Sequence, residues 1–432
     1  MAEHDDGRRL SFPPWAGRNF RLLVGASFIT STGNSGATIA AAFAVIESGG
    51  SATDVGLVAA ARTLAMVLLL LVGGAVADRL PRQRVMAVAN LVNACSQALF
   101  AALVLTGHAT LWQMAALTAV GGGAVAFFSP ASEGLVLSTV DTANAGQAFS
   151  VYRLATNAAG IGGAALGGAL VAAFGAGWVL VVDAAGFTAA AAMRARIDVS
   201  RADRAPRSGG IARELREGWH MVASRSWLWT TVLQFSVVNG MVNAVEAVYG
   251  PLVSRERLGG AGPWGLALAA GGVGTACGAV LMMRWRPRRM LVAGALGVLP
   301  LALPAAALAL ALPAWALAAV MFVGGLAIEV FAVNWMLALH QEIPEDLMSR
   351  VSAFDWLGSV ALTPLAVALA GPAAALFGRT RALWGSSGLI VLLTAAVLLV
   401  PDIRRVERVP RPPDAAPVRA PAADGPVGGP AL

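Results

Sequence analysis

Apolar runs about 20 residues long, separated by short polar turns, occupy most of the chain from residue 21 to residue 400. A run of that length spans the hydrocarbon core of a bilayer as a helix. Twelve such segments are predicted, near 21–46, 55–77, 84–106, 110–132, 147–172, 177–193, 227–252, 261–283, 290–311, 314–338, 352–377 and 382–400. The uncharged stretch Met290 to Ile328 is too long for one crossing and divides at Leu312-Pro313, where proline favours a turn. Spans 5 and 6 divide in the same way at Phe174-Gly175-Ala176-Gly177. The longest internal polar stretch, 194–225, separates six spans from six, and within it Ile211 to Ser224 is predicted to form a short surface helix. Pro81-Arg82 after span 2 recurs as Pro287-Arg288 after span 8, as expected of two parallel repeats.

Composition agrees with this pattern. Of 432 residues, 57% are hydrophobic and 13% charged, about half the charge of an ordinary soluble domain. Every basic residue is arginine, and 26 of the 31 fall in the tails and one alternating set of gaps, against four in the other set, with Arg62 inside a span. This asymmetry places both termini in the cytoplasm and reports topology, not nucleic-acid binding. The domain plan is therefore a cytoplasmic tail (1–19), a six-helix bundle (20–193), a cytoplasmic link (194–225), a second six-helix bundle (226–401) and a disordered cytoplasmic tail rich in Pro, Ala and Gly (402–432). Residues 1–19 lack the apolar core of a cleaved signal peptide. Cys95 and Cys277, each in an apolar segment, give neither a disulfide framework nor metal-ligand spacing.

Twelve spans in two sixes, the basic link and the loop Gly74-x-x-x-Asp78-Arg79-x-x-Arg82-x-Arg84 together resemble the major facilitator superfamily. Pro81 and Gln83 stand where that family's loop carries a glycine and a basic residue. Phe127-Phe128-Ser129-Pro130-Ala131, Ala143-Asn144 and Glu214-Leu215-Arg216-Glu217-Gly218 are similar to the twelve-helix drug:proton antiporter branch with macrolide-efflux proteins and siderophore exporters. The antiporter signature Gly-Pro-x-x-Gly is absent from span 5, where Asn157 to Gly163 lacks proline. The resemblance implies an all-α membrane protein of two bundles around a central cavity. It also implies a conformational latch at Gly74, Asp78, Arg79 and Arg82, although orientation bias alone accounts for Arg82 and Arg84.

Small residues recur at four-residue spacing in Gly163-x-x-x-Gly167 and Gly274-x-x-x-Gly278, which lets backbones approach. In the resembled fold these two spans, 5 and 8, face each other across the halves. Ionisable groups inside spans are expensive to bury and mark candidate sites. Arg62 and Glu246 fall at similar depth and are candidate partners, either functional or merely neutralising each other. Asn239, Asn243 and Glu246 share one helical face, which should avoid lipid. Glu329 lies mid-span and Asp355 a turn into span 11, whereas Asp183 and Glu133 are expected at the interfaces. Asn34 sits in the polar run Thr30 to Ser35, where hydroxyls can line a cavity or satisfy their own backbone; it cannot titrate, so Glu246 and Glu329 are the proton-carrier candidates. Asn90, Asn93 and Gln97 form a face suited to interhelical hydrogen bonds, and His340 with Glu342 lacks a third metal ligand.

No nucleophile–base constellation or phosphate loop supports an enzyme. The expected activity is secondary active transport of a small amphipathic organic compound across the cytoplasmic membrane, by proton-coupled efflux of a drug or secondary metabolite. The other readings are an importer or uniporter of the same architecture and a transport-inactive membrane sensor or scaffold. The expected partners are substrate, protons and membrane lipids, acting on a monomer with no cofactor, metal or nucleic acid.

Overall fold

A computed structural model describes residues 13–141, 144–198 and 211–408, and every regular element among them is helical. The first bundle comprises α1 (Arg18–Glu47), α2 (Ala52–Arg79), α3 (Arg82–Leu105), α4 (Leu111–Ser138), α5 (Ala145–Phe174) and α6 (Ala176–Ala195). The short helix α7 (Ile211–Ser224) precedes the second bundle. There, span 7 is α8 (Ser226–Ala244), a π turn (Val245–Tyr249), α9 (Gly250–Val253) and a second π turn (Ser254–Leu258); span 8 is α10 (Ala261–Arg284). Span 9 is α11 (Met290–Val298) and α12 (Leu303–Ala309) joined by one tight turn, span 10 is α13 (Ala314–Glu342), span 11 is α14 (Glu345–Val360) with α15 (Thr363–Phe377), and span 12 is α16 (Arg379–Leu398), followed by α17 (Pro401–Arg405). Helix α6 runs past the expected link boundary, so Arg194 belongs to the bundle and not to the polar link.

Local sequence fixes the helix ends. Ser51 and Asp54 form a reciprocal capping box at the start of α2, with the Ser51 N–H donating to Asp54 Oδ2 at 2.8 Å. The left-handed turns repeat between the halves. Gly49, Gly107 and Gly175 close spans 1, 3 and 5 with φ of 85°, 72° and 84°, and Gly259, Ala311 and Gly378 close spans 7, 9 and 11 with φ of 92°, 51° and 83°. At Gly107 the turn is sealed by Gly107 N–H to Val104 O and His108 N–H to Leu103 O; at Ala311 the same two bonds run from Ala311 to Leu308 and from Leu312 to Ala307. One Schellman end thus serves both halves, once with glycine and once with a strained alanine.

Ten of the spans are long and apolar enough to cross a membrane on length and composition alone. The other two, α1 and span 7, carry the polar run at Thr30 to Ser35 and the stripe Ser236, Asn239, Asn243 and Glu246. Spans this polar are stable in a bilayer only when packing turns their polar faces away from lipid.

Across the halves, α5 packs on α10 and α2 on α15. Both contacts are built on glycine. A Cβ at Gly265 would overlap the Ala164 carbonyl and lie 2.9 Å from the Cα of Gly168, and one at Gly371 would overlap the backbone of Thr53. These positions cluster toward the end of the molecule that carries the left-handed turns. The expected pairing of Gly163 and Gly167 with Gly274 and Gly278 is not what forms. Gly163 and Gly167 admit Thr32 and Gly36 of α1, and Gly274 and Gly278 admit Phe322 and Leu326 of α13, so all four tighten their own bundle. Four-residue spacing creates a groove; helix rotation decides which neighbour fills it.

Candidate functional site

The site is built around a break in span 7. Pro251 has no N–H to return to Ala247, and its ring crowds that carbonyl, so the helix widens over Val245–Tyr249 and Gly250 N–H reaches back five residues to Val245 O. Glu246 sits in this widened turn. Two cavities meet at its side chain. One, of about 310 Å³, lies within the second bundle among Phe235, Asn239, Leu268, Thr275, Met321 and Ile328. The other, of about 170 Å³, lies between the bundles and is bounded by Thr38, Arg62, Gln97, Thr118, Asn243 and Trp264. Glu246 and Leu268 line both.

The stripe below Glu246 is tethered to a second break, in span 11. Pro364 cannot donate to Val360, and the helix parts between Val360 and Thr363. Asn239 Nδ2 donates to Ser359 O at 3.2 Å and Thr363 Oγ1 at 3.3 Å, and Asn243 Nδ2 donates to Asn239 O at 2.8 Å and Oδ1 at 3.0 Å. The asparagines therefore satisfy each other and a broken backbone, leaving Glu246 as the ionisable end of the ladder.

Arg62 faces the inter-bundle cavity with Glu246, yet the expected pair does not form. Arg62 NH2 donates to Asn34 Oδ1 at 2.6 Å, and the carboxylate whose field it feels is Asp183 on α6. Asp183 is not at an interface: it is 1% exposed, its carboxylate packs against Gly33 of α1 with Gln97 nearby, and among the described residues neither oxygen has a hydrogen-bond partner of ordinary geometry. Sequence reasoning assigned Asp183 to the interface because it lies in the outer half of its apolar run, where an acid can reach the surface. Its one legible signal was Gly33 beside Asn34, a gap in α1 that an acid on another helix can fill.

The remaining candidates are dispersed. Glu329 on α13 is partly exposed outside both cavities and faces the charge of Arg153 on α5. Asp355 accepts the Trp335 indole N–H at 3.1 Å on both oxygens. Arg194 is fully buried, donates to Ser27 Oγ at 2.9 Å and lies 4.6 Å over the Phe128 ring. That contact gives part of the Phe127-Phe128 motif a packing role. Gly74, Asp78 and Arg79 lie in the last two turns of α2, but their surroundings fall outside the described residues.

Two six-helix bundles joined by glycine contacts, with cavities at their junction, form a transporter architecture. The family profile of the Major Facilitator Superfamily matches residues 23–360. The chain belongs to the Major Facilitator Superfamily. Among curated relatives of this facilitator, the multidrug efflux pump Tap of Mycolicibacterium fortuitum is 27% identical over 415 residues, covering 90% of this chain and 98% of that one. Tap of Mycobacterium tuberculosis (strain ATCC 25618 / H37Rv) is 24% identical over 405 residues, covering 90% and 95%. Solved structures share the fold at lower identity. The nucleoside transporter NupG superposes with a TM-score of 0.70 at 13% identity, covering 88% of this chain and 98% of that one. An inward-facing bacterial homolog of the human lysosomal transporter Spinster gives 0.67 at 14%, covering 91% and 98%. This facilitator is a multi-pass membrane transporter and not an enzyme.

Proposed function

We propose that this facilitator exports amphipathic organic compounds from the cytoplasm in exchange for protons, and that Glu246 is the exchanging group. The observation that carries the reading is the placement of Glu246, a carboxylate without an ion-pair partner among the described residues, at the junction of an apolar cavity and the cleft between the bundles. A buried carboxylate needs a positive counterpart, and here either a proton or a cationic group of the substrate supplies it. Because the two cannot occupy it together, one residue makes uptake of a proton and release of substrate mutually dependent. The cavity walls, Phe235, Leu268, Met321 and Ile328, bury the apolar body of such a compound, and Asn239 and Thr275 add polar contacts. Similarity to Tap proteins along nearly the whole chain supports export as the direction and drug-like compounds as the cargo.

The arginine distribution supports cytoplasmic termini in the inner membrane, with the glycine contacts at the outer end, so the packed state is one closed to the outside and open toward the cytoplasm. We propose a monomer as the working unit, since each chain holds a complete cavity. Asn34, Arg62 and Asp183 hold the opposite wall of the cleft, while Asp78, Arg79, Gly74 and Arg82 serve as the latch at the cytoplasmic surface. The test is transport in everted membrane vesicles with an imposed proton gradient. Accumulation of a fluorescent cationic dye is expected for the unaltered chain, and loss of gradient-driven accumulation is expected for Glu246→Gln. Proton-driven movement that survives in both Glu246→Gln and Glu329→Gln removes both residues as carriers, and dye movement in the opposite direction identifies an importer.

A further inference from the structure

A second, separate site lies on the outside of the first bundle. Helices α2, α3 and α4 leave a groove of about 640 Å³ that faces the lipid, with walls of Leu69, Val88, Val92, Val120 and Phe127 and almost no polar lining. From Val92 to Arg84 it follows α3 for eight residues, roughly 12 Å at the helical rise, close to the roughly 15 Å depth of one leaflet's hydrocarbon. At Arg84 the groove meets a second hollow of about 480 Å³, lined by Gln83, Arg84, Val88, Arg196 and Asp198. Arg84 and Val88 belong to both. Both arginines are exposed, and α3 starts beside them without a side-chain cap, so its positive end adds to their field.

From this geometry we infer a binding site for an anionic phospholipid, its acyl chain in the α2–α3–α4 groove and its headgroup phosphate between Arg84 and Arg196. The two parts match a lipid's own division: an apolar channel one leaflet deep, opening on a cationic hollow at the headgroup level. Asp198 opposes the anion, which leaves the described lining of the hollow with a net charge of one positive unit and sets the site against a doubly charged ligand. The acidic run Glu3-His4-Asp5-Asp6 is the chain's own competitor for this hollow.

The test is native mass spectrometry of the purified full-length chain in mixed micelles containing either dioleoyl phosphatidylglycerol or dioleoyl phosphatidylcholine. One phosphatidylglycerol per chain is expected to persist after phosphatidylcholine has dissociated. The Arg84→Gln/Arg196→Gln variant is expected to bind it about 30-fold more weakly, equivalent to about 2 kcal/mol for two surface arginines, and Asp198→Asn about fivefold more tightly. Val88→Trp, at a lipid-exposed position shared by groove and hollow, is expected to abolish the retained lipid. Equal retention of both lipids, or retention unchanged in the arginine pair or in Val88→Trp, overturns the site. Retention that emerges only after deletion of residues 1–12 assigns the hollow to that acidic segment instead. Unchanged melting temperature of each variant in phosphatidylcholine micelles shows that the fold is intact.

Discussion

Gly265→Ala should act on the conformational equilibrium, whereas Gly167→Ala should act on stability alone. At Gly265 an added Cβ overlaps the Ala164 carbonyl and approaches Gly168 Cα at 2.9 Å and its N at 3.2 Å. These are backbone atoms of the opposite bundle, so no side chain can swing aside. Overpacking of this kind costs about 1–3 kcal/mol, but only in the state where α5 and α10 touch. In a state where the bundles part at this end, the methyl meets nothing and the cost vanishes. The population therefore moves away from the packed state by a factor of about 5 to 150, since 1.4 kcal/mol is tenfold. Gly167 overlaps Gly36 within its own bundle, so the same methyl there costs a similar amount in every state and shifts no population. The assay is the distance distribution between spin labels placed at the exposed positions Phe174 and Arg257, after replacement of Cys95 and Cys277. A longer distance should gain population in Gly265→Ala and not in Gly167→Ala. If both variants give the unaltered distribution while remaining folded, the rocking interface is not where these glycines place it. If Gly167→Ala shifts it equally, the distinction between contacts within and across bundles fails.

Ala311 stands in a left-handed turn that uses glycine at the equivalent place in the other half, and Ala311→Gly should stabilise the chain by up to about 1 kcal/mol, read as a raised melting temperature. Pro251→Ala restores the N–H missing from span 7 and should straighten the widened turn, moving Glu246 around the helix; transport should fall while thermal stability holds or rises, and unchanged transport would remove the break from the mechanism. Arg379 grips Glu256, in the exposed π turn that follows the apolar stretch 227–252, with two hydrogen bonds of 2.7 Å, which hold its carboxyl below the ordinary value of 4.5. The folded chain thus binds this proton less readily than the unfolded chain, so the contribution is full above pH 4.5 and is lost as pH falls through the lowered value. Because Glu256 is half exposed, about 0.5–1 kcal/mol is expected for Glu256→Gln at pH 7, and the difference from the unaltered chain should shrink in unfolding curves taken below pH 4.5.

The linear pattern of residues set how many times the chain crosses the membrane, where it turns and that it is bipartite. These properties depend on hydropathy, proline and glycine within a few residues, and the bilayer enforces them segment by segment. The helix at Ile211–Ser224 and the turn at Leu312-Pro313 were legible for that reason. It also marked Glu246 as costly, and Gly250-Pro251 beside it held the cause of the π turn. Which side chains meet was settled by packing in three dimensions. Arg62 and Glu246 share a depth and a cavity, but the Arg62 side chain turns to Asn34 on α1 and to the field of Asp183 on α6. Gly163 and Gly167 offered a groove that α1 filled before α10 could. Arg194 carried a charge that suited a polar link, yet α6 continues one residue past it and buries it over Phe128. Depth along a helix follows from counting residues; rotation about its axis follows from the fit of every neighbour at once, and no single segment contains that information.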